Sequence, residues 1–140
     1  FYHPDRIAHS YEALRRSNTH ACMLGRLVQW WPAKRRLWGN WKRPWEGSLL
    51  CERRILPTYP DISKNEDGTI VQYLLDHVRV SIYDAPGLYV YFTHDANTML
   101  TSKGHFELHW ARATSRFIED DYELALQFLS DQSIIPSEHA

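Results

Sequence analysis

Three side chains in alternate positions, His105, Glu107 and His109, are of the kinds that zinc and other divalent ions accept as ligands. Their segment alternates polar and apolar residues, which predicts a strand that projects the three side chains in a row, about 7 Å between neighbours. His77 lies on a second predicted strand and could complete the ligand set. We therefore expect either a divalent-metal site or a polar sheet face that binds a ligand or partner without metal.

A second pattern, Thr93-His94-Asp95-Ala96-Asn97, lies where a predicted strand runs into a loop. It resembles the distal His-Asp motif of the histidine acid phosphatases, in which the pair assists phosphoryl transfer. That family also needs an Arg-His-Gly tripeptide for its nucleophilic histidine, and this sequence contains none. We interpret the five residues as a loop in which Asp95 and Asn97 bond their own backbone.

An acid pair, Asp61 after Pro60 and Asp76 near a predicted strand, resembles the metal-dependent PD-(D/E)xK nucleases. In those enzymes two acids hold a divalent cation, and a lysine two positions after the second acid steadies the attacking water. Val78 stands at that position here, and Pro-Asp is also an ordinary turn dipeptide. Asp61 and Asp76 are kept as the acid pair of an alternative function, a metal-dependent hydrolase or nuclease.

The most unusual stretch runs from Arg26 to Trp45 and holds five of the six tryptophans and six basic residues without an acid. Tryptophan has a large apolar body and one N–H donor, so the cluster either builds a core or offers stacking surface. Trp31 falls on the apolar stripe of a predicted helix, which assigns it to the core. The candidate partner-binding residues are Arg35, Arg36, Trp38, Trp41, Lys42, Arg43 and Trp45.

Four interpretations compete for this stretch. It could be purely structural, or it could dock a partner, because protein interfaces are enriched in Trp and Arg. It could also bind single-stranded nucleic acid by stacking and phosphate contacts, or lie at a membrane interface. The net charge of −1 disfavours a dedicated nucleic-acid module, which is usually strongly basic. Pro32, Gly39 and Pro44 interrupt any amphipathic helix and disfavour the membrane interface.

Composition indicates one globular domain over residues 1–140, because 44% of the residues are hydrophobic and the length suffices to bury a core. No run approaches the roughly 18 apolar residues of a membrane span, so we expect no transmembrane segment. Residues 1–56 carry eleven Lys/Arg against four Asp/Glu, whereas residues 57–140 carry five against thirteen. Such halves could orient on a polyanion or pair in a homo-oligomer, unless the opposite charges cancel within the fold.

Cysteine usage bears on the compartment. Cys22 and Cys51 belong to no metal-binding or redox motif, which favours a reducing intracellular compartment and leaves open whether the two pair. The chain begins at Phe1 rather than Met, and we expect that it has been processed or trimmed. Any targeting peptide would then lie outside this sequence.

Hydrophobic periodicity predicts the helices. The first runs from Asp5 to about Arg16, and the second from about Thr19 to Trp31, where Pro32 ends it. A closing helix begins at about Ser115 and should pack across the sheet. A polar tail at 131–140 is expected to fray.

Strands are predicted between the second and the closing helix. Asp67-Gly68 is a turn signal, and clean alternation follows it. The predicted strands are Ser48–Leu56, Thr69–Leu75, His77–Tyr83, Leu88–Thr93 and His105–Trp110. The fold class is therefore α+β: two N-terminal helices, an antiparallel meander of four to five strands, and a C-terminal helix on the sheet.

These patterns predict a non-enzymatic binding or assembly protein, a subunit or adaptor of a larger protein or ribonucleoprotein complex, that needs no cofactor. It would dock through the basic Trp-rich segment, with the acidic C-terminal half as a second surface. The alternatives are the metal-dependent hydrolase or nuclease, acting through the His-rich sheet face or the acid pair, and a single-stranded nucleic-acid-binding module.

Overall fold

The structure, a computed structural model, describes residues 1–62, 65–94, 97 and 104–136. Over these residues the chain forms four α-helices and two mixed sheets, so the α+β class is confirmed. The single antiparallel meander is wrong, because each sheet contains a parallel strand pair. The chain divides into two compact units, defined here as unit 1 (Phe1–Pro4, Arg26–Lys42 and Ala85–Ala140) and unit 2 (Asp5–Gly25 and Arg43–Asp84).

The helices and strands follow one another along the chain as α1, β1 to β4, α2, β5, β6, α3, β7 and α4, with short 3₁₀ turns between some of them. The helices are α1 Arg6–Ser17, α2 Glu66–His77, α3 His105–Ala111 and α4 Glu119–Asp131. The strands are β1 Ala21–Leu24, β2 Val28–Trp31, β3 Arg36–Gly39, β4 Leu50–Cys51, β5 Val80–Tyr83, β6 Val90–Phe92 and β7 Ser115–Phe117.

Unit 2 contains a three-stranded sheet in the order β4-β1-β5, with β1 at its centre. All four residues of β1 are fully buried, which is the burial pattern of a strand covered on both faces. The helix α1 contacts one face, where the Cys22 thiol donates to the Ser10 carbonyl and the Ser10 and Tyr83 hydroxyls lie 2.7 Å apart. The predicted first helix is thus confirmed, with α1 shifted by one residue.

The predicted second helix, Thr19 to Trp31, is wrong. Its residues form β1 and β2, which belong to different sheets. Eight of its thirteen residues are apolar, and they stand close enough together to fit a helical and an extended period equally well. Pairing with β5 and β6 decides the outcome, because it provides partners for the backbone groups of both short strands.

The predicted strand Thr69–Leu75 is also wrong, because it lies inside α2. Gly68 does not form a hairpin turn but occupies the first helical turn, where a Cβ would lie 2.5 Å from the Asn65 side-chain oxygen. The acidic residues Glu66 and Asp67 favour a helix start there, since they complement the positive end of the helix dipole. The buried side of α2 carries Ile70, Val71 and Leu74 at helical spacing.

Unit 1 contains a four-stranded sheet in the order β6-β2-β3-β7. Its centre is the β2–β3 hairpin, closed by a 3₁₀ turn at Pro32–Lys34 and by Arg35 in the left-handed region at φ 47°. Three of the five tryptophans of the Trp-rich stretch, Trp30, Trp31 and Trp38, therefore lie in the two central strands of this sheet. Close approach of β7 to β3 requires Gly39, because a Cβ there would lie 2.7 Å from the Ser115 hydroxyl.

The two faces of this sheet bury different tryptophans, because side chains alternate along a strand. Trp30 and Leu37 point toward α4 and pack with Tyr122, Leu126 and Leu129. The opposite face buries Trp31 and Trp38, which pack with Phe106 of α3. The closing helix is therefore confirmed on the sheet, although α4 starts later than predicted because residues 115–117 form β7.

Three further strand predictions need correction. The predicted strand His105–Trp110 is the helix α3, which begins after Gly104, a residue in the left-handed region at φ 83°. The strands predicted at His77–Tyr83 and Leu88–Thr93 exist in shorter form as β5 and β6 but do not form a hairpin, since they belong to different sheets. A six-residue alternation is too short to exclude one and a half helical turns.

The predicted frayed tail at 131–140 includes a buried pair. Ile134 and Ile135 are only 4% and 3% exposed and belong to the core beneath α4. Residues 137–140 lie outside the described part of the chain.

The charge asymmetry between the two halves of the sequence does not appear as a charge difference between the two units. Unit 1 contains eight Lys/Arg and eight Asp/Glu, and unit 2 contains eight and nine. Each unit combines segments from the basic and the acidic part of the chain, so neither carries a large net charge. Opposite-charge halves therefore no longer support the expected homo-oligomer, which stays a prediction.

We expect Trp38→Ala to lower the free energy of unfolding by about 3–5 kcal/mol, the usual loss for a buried aromatic residue, because the side chain is 0% exposed. The control Trp41→Ala removes the same group from a half-buried position and should lower it by about 1 kcal/mol. Urea denaturation followed by circular dichroism measures both values. Equal losses would contradict this assignment of the two tryptophans.

Candidate functional site

The candidate site is built around the helix α3, which covers one face of the unit 1 sheet. Phe106 packs edge-on against Trp31 at 5.9 Å between ring centroids, and Trp110 packs edge-on against Trp38 at 5.5 Å. His109 also points inward and is 8% exposed. A histidine buried at a helix–sheet interface needs hydrogen-bond partners, and β2 supplies one.

A chain of hydrogen bonds runs beneath α3. The Trp38 indole N–H donates to the side-chain oxygen Oδ1 of Asn40 at 2.8 Å. The side-chain amide of Asn40 donates to the side-chain oxygen Oε1 of Gln29 at 3.2 Å. The Gln29 amide donates to the Thr93 hydroxyl at 3.0 Å, and Nδ1 of His109 lies 3.1 Å from the Gln29 carbonyl oxygen. All five side chains are buried, so the chain links three strand segments to α3 within the core.

The direction of these bonds fixes the tautomer of His109. An indole N–H only donates, so Asn40 must present its oxygen to Trp38 and its amide group to Gln29. The Gln29 oxygen therefore accepts from both neighbours, which requires a proton on Nδ1 of His109. In the neutral ring the lone pair then lies on Nε2.

The predicted metal ligands are only partly brought together. The rings of His105 and His109 lie 4.3 Å apart between centroids, one helical turn from each other. Glu107 points away from them, because residues two apart lie on opposite sides of a helix, and it pairs with Arg36. His77 lies in unit 2, where its ring stacks on Tyr73 at 4.3 Å.

Among the described residues, no group of three or more His, Cys, Asp or Glu side chains could hold a metal ion. The strand geometry that placed Glu107 beside both histidines was wrong, since the segment is helical. Metal binding by His105, Glu107, His109 and His77 stays a prediction.

The structure also sorts the predicted partner-binding residues. Trp38 and Trp45 are 0% and 6% exposed, so neither indole offers stacking surface. Among the basic residues, three pair with acids: Arg35 with Glu123, Arg36 with Glu107, and Arg43 with Glu46. Arg43 and Trp45 belong to unit 2, where the guanidinium lies 3.8 Å from the indole centroid.

Of the seven predicted partner-binding residues, Trp41 and Lys42 are the two not yet accounted for. A third residue, Arg112, lies next to Trp41. The Arg112 guanidinium lies 5.9 Å from the Trp41 ring centroid, and the His109 ring lies 4.7 Å from the same indole. Within the described residues, neither Lys42 nor Arg112 forms an ion pair. We define Trp41, Lys42 and Arg112 as the Trp41 patch. Sequence reasoning missed Arg112 because nothing near it in the chain is unusual.

A stack of three side chains lies at the C-terminal end of α3, the same end as Arg112 of the patch. Trp110 has the Arg36 guanidinium 5.0 Å and the Arg116 guanidinium 5.4 Å from its ring centroid. Arg116 also donates to the carbonyl oxygens of Trp110 and Ala111 at 3.1 and 2.8 Å. Because these are last-turn carbonyls of α3, Arg116 stabilises the helix end next to Arg112.

The acid pair and the His-Asp pattern lie elsewhere. Asp61 is exposed in a loop of unit 2, and Asp76 is exposed on α2, where it accepts a hydrogen bond from Gln72 at 2.9 Å. Their metal-dependent function stays a prediction. Thr93 is buried in the hydrogen-bonded chain described above, whereas Asp95 and Ala96 lie outside the described residues.

Both cysteines are free. Cys51 stands opposite Ala21 and Cys22 opposite Leu50, so the two thiols point to opposite faces of the sheet. Burial raises the pKa of Cys22 to about 11 and also raises the pKa of Cys51. Both therefore stay protonated at neutral pH, whereas an activated nucleophile would need a lowered pKa.

Unit 2 also has an open depression of about 470 Å³ beside the edge strand β4. Its rim holds Glu52, which accepts hydrogen bonds from Arg54 at 2.5 Å and from His20 at 2.9 Å. These bonds, the one from Arg54 first, lower the pKa of Glu52. Glu52, Arg54 and His20 are solvent-exposed, and ion pairs at such positions contribute little to stability.

No described helix is both long and apolar enough to cross a membrane, as the sequence predicted. Comparison of the chain with models of protein families, with curated protein sequences and with solved structures finds no match.

The hydrogen-bonded chain predicts that His109 is protonated on Nδ1 in its neutral form. Long-range ¹H–¹⁵N correlation spectra of the imidazole distinguish the two tautomers. A neutral His109 with its proton on Nε2 would contradict the derived bond directions.

The raised pKa of Cys22 predicts a loss of stability in alkali. The folded thiol ionises at about 11 instead of the ordinary 9.0, so the unfolded chain releases its proton first and the free energy of unfolding falls between these values. Denaturation at successive pH values should show this fall, and Cys22→Ala should reduce it. An identical fall in the variant would assign the effect to other groups.

Proposed function

We propose that the protein is a non-enzymatic binding protein, a subunit or adaptor of a larger assembly, that docks onto an acidic segment of a partner protein. The Trp41 patch makes the contact. The observation that carries this proposal is the position of Arg112, an exposed guanidinium near a half-buried indole with no acid paired to it in the described chain.

The chemistry of the patch suits a carboxylate partner. Arg112 presents planar N–H donors that can bind a carboxylate in bidentate fashion, and Lys42 adds a second charge. The indole of Trp41 offers an apolar contact beside these charges. Trp and Arg are the residues on which binding energy most often concentrates at protein interfaces.

The balance of charge favours an acidic protein segment over a nucleic acid. Unit 1 holds as many acidic as basic residues, so it lacks the broad positive field that attracts a phosphate backbone. A short acidic segment needs only the local charges of Lys42 and Arg112. The nucleic-acid alternative would need cations spread along a groove.

The same cations disfavour a divalent metal next to His105 and His109. Arg112 lies over the indole that contacts His109, and a metal ion bound to that ring would be repelled by the guanidinium. An anion is attracted at the same position. Electrostatics therefore favours the binding proposal over the metal-dependent hydrolase at this site.

A direct test uses a fluorescein-labelled peptide of glutamate and leucine, with a glutamine-for-glutamate peptide as its control. Fluorescence anisotropy should show that Arg112→Ala weakens binding about tenfold, equal to about 1.4 kcal/mol. Arg35→Ala is the matched control, because Arg35 is exposed but pairs with Glu123, and it should leave the affinity unchanged.

Two results would end the proposal. Equal affinity for the glutamine peptide would show that charge does not direct binding. Tighter binding of poly(U), weakening steeply with salt and lost in Arg112→Ala, would favour the single-stranded nucleic-acid alternative instead.

A further inference from the structure

The outer side of α4 exposes two large apolar side chains. Leu124 and Phe128 are 68% and 61% exposed, more than any other large hydrophobic residue in the described chain. They are four residues apart and therefore neighbours on one helical face. The opposite side of the same helix buries Tyr122, Leu126 and Leu129 in the core, so the exposed pair is not a product of poor packing.

Acidic residues flank this pair. Asp120 lies four residues before Leu124, Asp121 lies seven before Phe128, and Asp131 lies three after it, so all three share the outer face. In the described chain neither Asp120 nor Asp121 forms an ion pair, and Asp131 accepts a hydrogen bond only from Gln127, at 2.7 Å. We define Asp120, Asp121, Leu124, Phe128 and Asp131 as the α4 strip.

Single exposed apolar residues are ordinary on protein surfaces and need no explanation. The α4 strip differs, because two large side chains adjoin and three acids surround them. An apolar centre with a charged rim is the usual composition of a docking surface.

We propose that the α4 strip binds a basic amphipathic helix of a second protein. The apolar face of that helix would cover Leu124 and Phe128, while its Lys or Arg side chains would lie next to Asp120, Asp121 and Asp131. Binding of an amphipathic helix to an apolar surface is a recurrent recognition mode.

Charge complementarity selects this occupant. A second copy that paired α4 with α4 would bring six aspartates together, and like charges at an interface oppose association. A nucleic acid would be repelled by the same carboxylates. A guanidinium already binds the flank of this helix, where Arg35 pairs with Glu123 and lies 5.0 Å from the Tyr122 ring centroid.

The test uses the full chain and a designed leucine–lysine peptide of about four helical turns, with leucines on one face. A scrambled peptide of the same composition is the control. Fluorescence anisotropy should show that Leu124→Ser with Phe128→Ser weakens binding at least about tenfold. Leu108→Ser is the matched control on α3, since Leu108 is 47% exposed and lies outside the strip.

A second variant, Asp120→Asn with Asp121→Asn, should weaken binding and flatten its salt dependence. This variant changes no apolar contact. Circular dichroism checks whether each variant folds, and the asparagine variant still tests the proposal if the serine variant does not fold. Equal binding of the scrambled peptide, or unchanged affinity in the folded variants, would overturn the proposal. So would self-association that depends on Leu124 when the peptide does not bind. The substitutions in the strip all lie on α4, outside the Trp41 patch, so the two proposals fail independently.

Discussion

The indole N–H of Trp38 donates a hydrogen bond but cannot accept one, and it therefore directs the buried chain of polar contacts beneath α3. Asn40 turns its oxygen toward the indole and its amide toward Gln29. The Gln29 oxygen then accepts from His109 as well, while its amide donates to Thr93. Loss of one member leaves the next buried and unpaired, at about 1–3 kcal/mol. This dependence of each bond on the next holds α3 in one position on the sheet.

That position determines which residues of the Trp-rich stretch are available for binding. The β2–β3 hairpin directs Trp30 into one core and Trp31 and Trp38 into the other, so these three indoles hold unit 1 together. Trp41 lies two residues beyond the end of β3 and is only half buried. The helix α3 then places Arg112 over this one ring. A composition that first indicates a broad recognition surface thus yields a core and one small patch.

The elements that could be predicted from the sequence are those with one dominant period. The helix α1 carries apolar residues at helical spacing, although two of them, Ile7 and Tyr11, are 54% and 57% exposed. The closing helix has an apolar stripe, and β5 and β6 alternate cleanly. The run 21–31 could not be assigned, because eight of its eleven residues are apolar and fit either period, and only the pairing partners, far along the chain, select two strands. Residues 105–110 alternate as a strand does, yet Phe106 and His109 need the helical spacing to face the core together. Arg112 acquires its role only through the three-dimensional contact with Trp41, which no local pattern encodes.

The claim on which this account depends is that the Trp38 indole N–H is locked in the centre of unit 1. Hydrogen exchange of that indole proton, followed by NMR, tests it most directly. We expect this proton to exchange only through global unfolding, so the free energy of opening should equal the free energy of unfolding measured by urea denaturation. An opening free energy several kcal/mol smaller would mean that α3 and the chain beneath it open locally, which would contradict the account.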